Sequence, residues 1–118
     1  MNKTLSIIVP VYNEVKTVLI VLKKLKKLKL HDDYKSQIIV IDDNSNDGTV
    51  ELLKKIKNNQ DFKDITFIFK EKNMGKGDSQ KIAIPLCEGE FTIIQDADLE
   101  YNVENINSLL KLIIEKNF

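Results

Sequence analysis

Two hydrophobic periodicities alternate along this chain, and that alternation limits its fold more than any other feature. The runs "TLSIIVP" (4–10), "QIIVID" (37–42), "ITFIF" (65–69) and "FTIIQ" (91–95) are short and rich in β-branched and aromatic residues, as strands are. The first is read as stopping at Pro10, and the second is a continuous apolar run typical of a strand buried on both faces. Helices are read at "EVKTVLIVLKKLKKLKL" (14–30), "TVELLKKIK" (49–57), "SQKIAIPLC" (79–87) and "VENINSLLKLIIEK" (103–116). The first of them carries Val18, Leu22, Leu25 and Leu28 at helical spacing. Strands alternating with helices of this length form βαβ units. The expected fold is therefore α/β, a mostly parallel sheet with helices on both faces. At 118 residues, with no repeat, low-complexity segment or linker, the chain is read as one domain spanning 1–118.

In an open parallel sheet, ligands bind beyond the carboxyl ends of the strands. The polar residues of this sequence gather there. Tyr12, Asn13 and Glu14 follow the first strand, and Asp42, Asp43 and Asn44 the second. "KNMGKG" (72–77) follows the third, and Asp96 and Asp98 the fourth. In an extended segment, side chains at i and i+2 point the same way, so the two carboxylates converge and Ala97 turns away. Like charges side by side against apolar strand residues call for a cation between them.

Composition narrows what that cation and its partners can be. All 18 basic residues are lysines, so a bound phosphate must be held by lysine, backbone N–H groups or a metal, never by a guanidinium fork. Net charge is zero, which gives no global attraction to nucleic acid. The lone Cys87 cannot form an intrachain disulfide and is read as packing. No signal peptide is recognised, and no apolar stretch approaches the roughly 20 residues that cross a bilayer. The expected location is cytoplasmic, with a peripheral place on the cytosolic membrane face as the one membrane reading. "KKLKKLK" (23–29) suggests that surface, but is read first as a helix packing Leu22, Leu25 and Leu28 on the sheet with solvated lysines opposite. His31 is read as a surface residue.

Taken together, "SIIVPVYNE", "IIVIDDNSNDGT", "NMGKG" and above all "QDADLEY" resemble the N-terminal half of family 2 glycosyltransferases of the GT-A fold. Within that family the likeness is greatest to the dolichyl-phosphate and polyprenyl-phosphate hexosyltransferases. It runs from Ser6 to Tyr101 in the family's order and spacing. The resemblance implies a Rossmann-like nucleotide-binding half and transfer of a hexose from a UDP- or GDP-sugar. The implied acceptor is a lipid phosphate such as a polyprenyl phosphate, or a glycan. The implied cofactor is a divalent metal, Mg²⁺ or Mn²⁺, bound by Asp96 and Asp98; the alternative for the pair is that Asp98 caps the following helix while Asp96 pairs with a lysine. Such ions prefer oxygen, keep waters, and bind through one or two carboxylates plus substrate phosphates. As a Lewis acid, the metal stabilises the charge that grows on the leaving nucleotide diphosphate.

By the same resemblance, Pro10, Tyr12 and Glu14 match a nucleotide-contacting motif, with the Tyr12 ring near the base. Ile41 and Asp43 match a second, whose aspartate accepts a hydrogen bond from a base ring N–H, as both uracil and guanine can offer. Asp42 is read as structural. Lys76 matches the lysine of the family's Gly-Lys-Gly loop, and Asp96 and Ala97 join the nucleotide-sugar set. Asp78 stands where the family carries a small or apolar residue, and Pro85 interrupts the third helix. No catalytic residue is assigned. A base for a hydroxyl acceptor is expected in the family's C-terminal half, whereas a lipid phosphate is already anionic near neutral pH.

Other readings fit less well. "DNSNDG" (43–48) imitates the start of an EF-hand loop, but its twelfth position would be Lys54 where a bidentate Glu is required. A P-loop is absent. A response-regulator receiver needs paired acids after its first strand, where this chain has "VPVYNE". A non-catalytic nucleotide- and metal-binding module stays open, because every recognised residue concerns the donor. Since the family's second half should follow the fourth strand, the chain is read as truncated at Phe118. The bare "FTIIQ" edge is then expected to promote self-association.

Overall fold

The computed structural model of the chain describes residues 2–100 and 102–116; Tyr101, part of the "QDADLEY" motif, lies outside them. Four parallel strands, β1 (Thr4–Val11), β2 (Lys35–Asp42), β3 (Thr66–Phe69) and β4 (Phe91–Ile94), form one sheet in the order β3-β2-β1-β4. The helices are α1 (Val18–Lys27), α2 (Thr49–Lys57), α3 (Lys76–Ala83) and α4 (Asn105–Lys116). The α/β expectation holds, with helices on both faces.

The alternation of side chains along β1 divides the core in two. Leu5, Ile7, Val9 and Val11 meet Val18, Leu22 and Leu25 of α1, Leu53 and Ile56 of α2, and Ile106 and Leu110 of α4. On the opposite face, Ile8, Ile39 and Ile41 pack under Ala83 of α3, with Cys87 half-buried beside them. The chain runs outward from β1 through β2 to β3, then returns by α3 to the far side of β1. Right-handed crossovers in opposite directions place α3 on the other face. They also create a topological switch point between β1 and β4, the place where open parallel sheets bind their ligands.

Several boundaries differ from the sequence expectation. β1 does not stop at Pro10 but continues to Val11. The Val11 carbonyl accepts from Asp43 on the β2 side, and that of Ile8 accepts from Gln95 on the β4 side. Alternation then aims the Pro10 nitrogen toward β4, beyond the last paired residues Ile8 and Ile94, where no donor is needed. β2 starts at the polar residues Lys35 and Ser36, because Thr4 and Leu5 offer them ladder partners. α1 is shorter than 14–30: residues 14–17 form a turn closed by bonds to the Glu14 carbonyl, and Leu28 is extended (ψ 122°) while still packing on the core. α3 spans 76–83 rather than 79–87, because Pro85 turns its end into a short 3-10 segment. β3, β4 and the start of α4 move by one or two residues. Among the described residues, no helix is long and apolar enough to cross a membrane.

Candidate functional site

The loops after β1 and β2 are built around two asparagines with left-handed backbones, Asn13 (φ 53°) and Asn44 (φ 59°), a conformation asparagine tolerates better than most residues. They are laced together. The Asn13 amide donates to the Ser45 hydroxyl at 2.9 Å, and the Asn46 amide returns a bond to Asn13 Oδ1 at 2.9 Å. Asp42 is buried and accepts from the Ser45 amide and hydroxyl at 2.9 and 2.6 Å, so it is structural, as read. Asp47 accepts from the amides of Thr49 and Val15 at 3.0 and 3.3 Å, a turn-capping role in place of a calcium ligand. Burial would raise the Asp47 carboxyl, but bonds from Thr49 and Val15 outweigh it and hold it below its ordinary range.

Asp43 is the anchor of the loop after β3. Its Oδ1 accepts the Met74 amide and its Oδ2 the Gly75 amide, each at 2.9 Å. Lys70, with only 5% of its side chain exposed, sits 2.7 Å from Asp43 Oδ1 and 2.7 Å from Asp78 Oδ2. Burial pushes the Asp43 carboxyl up, but the bonds from Lys70, Met74 and Gly75 prevail and hold it low. Burial likewise lowers Lys70, and its bonds to Asp43 and Asp78 more than reverse that. Asp78 therefore turns back toward Lys70, which neutralises the carboxylate that departs from the family pattern. Sequence reading missed Lys70. The signal was the register: Asp42 pairs with Phe69, so the next residues of β2 and β3, Asp43 and Lys70, emerge side by side.

The remaining expected residues divide into those on the rim and those beneath it. Tyr12 is 45% exposed just past β1. Lys76, the first residue of α3, pairs with Asp96 after β4. Glu14 and Ala97 are joined through Thr17, whose hydroxyl contacts Glu14 Oε2 at 3.1 Å and the Ala97 carbonyl at 2.8 Å. Thr17 was not anticipated either. Ile41 is fully buried under α3 and Pro10 beside it is half-buried, so the Ile41 side chain lies beneath the rim. The Ala97 methyl is also buried, which leaves only its backbone near the rim.

Asp96 and Asp98 are both half-buried, on either side of the inward-turned Ala97. Asp98 Oδ1 accepts the Glu100 amide at 3.1 Å. Among the described residues, no cluster of three or more acidic, histidine or cysteine side chains is suited to a metal. Two carboxylates without a third protein ligand fit a hard ion whose shell is completed by diphosphate oxygens and water. A cavity of about 580 Å³ between α1 and residues 99, 100 and 102–104 is lined by Lys24, Lys27 and Lys29 and contains none of the rim residues.

The motif for glycosyl transferase family 2 matches residues 6–118. The chain belongs to that family. It is 29% identical over 110 residues to the undecaprenyl-phosphate 4-deoxy-4-formamido-L-arabinose transferase of Pseudomonas syringae, covering 93% of this chain and 32% of the relative. It is 36% identical over 87 residues to the poly-β-1,6-N-acetyl-D-glucosamine synthase of Staphylococcus aureus, covering 74% of this chain and 20% of that protein. Its fold matches S. aureus TarS residues 1–349 in complex with UDP-GlcNAc, with a TM-score of 0.73, 29% identity, and coverage of 95% of this chain and 31% of the other. The structural neighbours are GT-A glycosyltransferases. The chain thus spans about a third of the length of the first relative and of TarS 1–349.

Proposed function

We propose that this chain binds the donor of a glycosyltransferase that moves a hexose from a UDP- or GDP-sugar to an acceptor, with a polyprenyl phosphate as the favoured acceptor. One observation carries this reading. Contacts link the loops beyond the strand ends, with Asp43 after β2 seating the loop after β3 and Lys76 at the start of α3 pairing with Asp96 after β4. The UDP-GlcNAc complex of TarS supports a nucleotide-sugar donor, and the undecaprenyl-phosphate transferase supports the acceptor class.

In this reading the exposed Tyr12 ring stacks near the base, and Asp43 accepts its ring N–H. Asp96 and Asp98 hold Mg²⁺ or Mn²⁺, which neutralises charge developing on the departing nucleotide diphosphate. Lys76 lies within reach of the same phosphates as a compact cation. Thr17 holds the Ala97 carbonyl, between the two carboxylates in sequence. Calorimetry with UDP and GDP, with and without Mn²⁺, tests the proposal. Metal-dependent binding that Asp98→Asn weakens at least tenfold is expected. Equal binding by wild type and variant would remove the metal site from Asp98.

A further inference from the structure

We propose that this site selects uracil over guanine, and that Lys70 sets the preference by leaving Asp43 a single free acceptor lobe. The inference rests on the reading above, in which Asp43 faces the base. It goes further by counting what Asp43 has left to offer.

An ionised carboxylate has about four lone-pair sites, two on each oxygen. Asp43 Oδ1 is saturated by the Met74 amide and the Lys70 ammonium. Oδ2 takes the Gly75 amide, so one lobe on Oδ2 is left. Only 7% of the Asp43 side chain is exposed, which makes that lobe a narrow target. The occupied lobes are not easily released. Lys70 is itself held by Asp78 at 2.7 Å, the Ser79 hydroxyl at 3.2 Å and the Gly75 carbonyl at 3.4 Å. Gly75 has φ 94° and ψ 167°, a backbone region open essentially to glycine alone, which aims its amide at Oδ2.

The two candidate bases make different demands. Uracil presents one ring N–H flanked by two carbonyls, and a single lobe satisfies it. Guanine presents a ring N–H and an amino group side by side, a pair of donors that the two oxygens of one carboxylate can accept together. Against Asp43 as held here, the free lobe takes one guanine donor and the other is left without a carboxylate partner. Sites that leave a buried polar group unpaired reject such ligands strongly.

Calorimetry of the full chain with UDP and with GDP, each with Mn²⁺, decides the matter. UDP should bind at least tenfold more tightly, and Asp43→Ala should weaken UDP and erase the preference. Lys70→Met opens a lobe on Oδ1, so the UDP-to-GDP ratio should collapse toward one. Lys70→Arg should keep it. A residue that only held the fold would lower both affinities together and leave the ratio unchanged. Equal or tighter GDP binding by the wild type overturns the inference, as does an unchanged ratio in a folded Lys70→Met variant. Should Lys70→Met fail to fold, the wild-type ratio still decides the base preference, and a ratio lost in Lys70→Arg overturns the role of Lys70. Binding of neither nucleotide would overturn the donor reading itself, a result distinct from binding both with the wrong preference.

Discussion

The ammonium of Lys76 donates to Oδ1 of Asp96, tying the first residue of α3 to the segment after β4 across 20 positions of sequence. Lys76 and a divalent ion would therefore compete for one oxygen. Exposed ion pairs are worth about 0.2–1 kcal/mol, so losing the competitor should tighten Mn²⁺ binding by at most about fivefold. The same lysine would help hold a diphosphate. Lys76→Met is thus expected to strengthen Mn²⁺ binding alone and to weaken UDP or GDP binding. Electron paramagnetic resonance of free Mn²⁺, alongside calorimetry of the nucleotides, reads the two effects separately. Changes of the same sign would show that Lys76 does not exchange between them.

Gly75 has a backbone no other residue adopts cheaply, and its amide is one of the bonds that seats the loop on Asp43. A Cβ there meets nothing within 4 Å, so any penalty comes from the backbone and not from crowding. Gly75→Ala should cost about 1–3 kcal/mol of loop strain. Nucleotide binding should fall, while the melting temperature falls little if the loop relaxes locally. Unchanged nucleotide affinity would mean that the seated loop is not the binding-competent one.

These details show which parts of the molecule the sequence disclosed. Val18, Leu22 and Leu25 lie in the core because helical spacing put them on one face, and the apolar run of β2 is buried on both faces. Periodicity could not mark the ends. Leu28 continues the spacing but leaves the helix, since its burial needs only proximity to the core. The rim was legible because βα topology brings strand ends level. Its internal bonding was not. Whether Asp43 would meet a ligand, a lysine or two amides depends on the path of residues 70–75, which no local pattern dictates. For the same reason Ile41 and Ala97 were expected in the site, but their side chains lie in the core beneath it.

The Asp43–Lys70 pair also sets a pH window. The folded Asp43 carboxyl lies below its ordinary 3.8, so its stabilisation is complete above that value and is lost as pH falls through the folded one. Lys70 lies above its ordinary 10.5, so its contribution is complete below that value and is lost as pH rises through the folded one. Between roughly pH 5 and pH 9 the loop should therefore keep constant protection. Below pH 3.8 the wild-type melting temperature should drop more steeply than that of Asp43→Asn, which has no proton to take up there. Parallel curves for the two proteins would uncouple Asp43 ionisation from stability.

β4 pairs with β1 along one side, and no strand lies on its other side among the described residues. Neither proline nor lysine occurs in 91–95 to blunt that edge. Ile94 is 42% exposed, and Leu109 of α4 is 45% exposed across a groove of about 280 Å³ that both residues line. An unpaired edge beside an apolar groove favours association with another copy. The 118-residue chain should accordingly self-associate at micromolar concentration. Light scattering during size-exclusion chromatography should give a mass above 13.6 kDa that rises with loading. Ile94→Lys places a charge on the groove and should shift the distribution to monomer without lowering the melting temperature, since the site is already half in water. A wild type that stays monomeric across that range would show that the β4 edge is protected by its own twist and by α4.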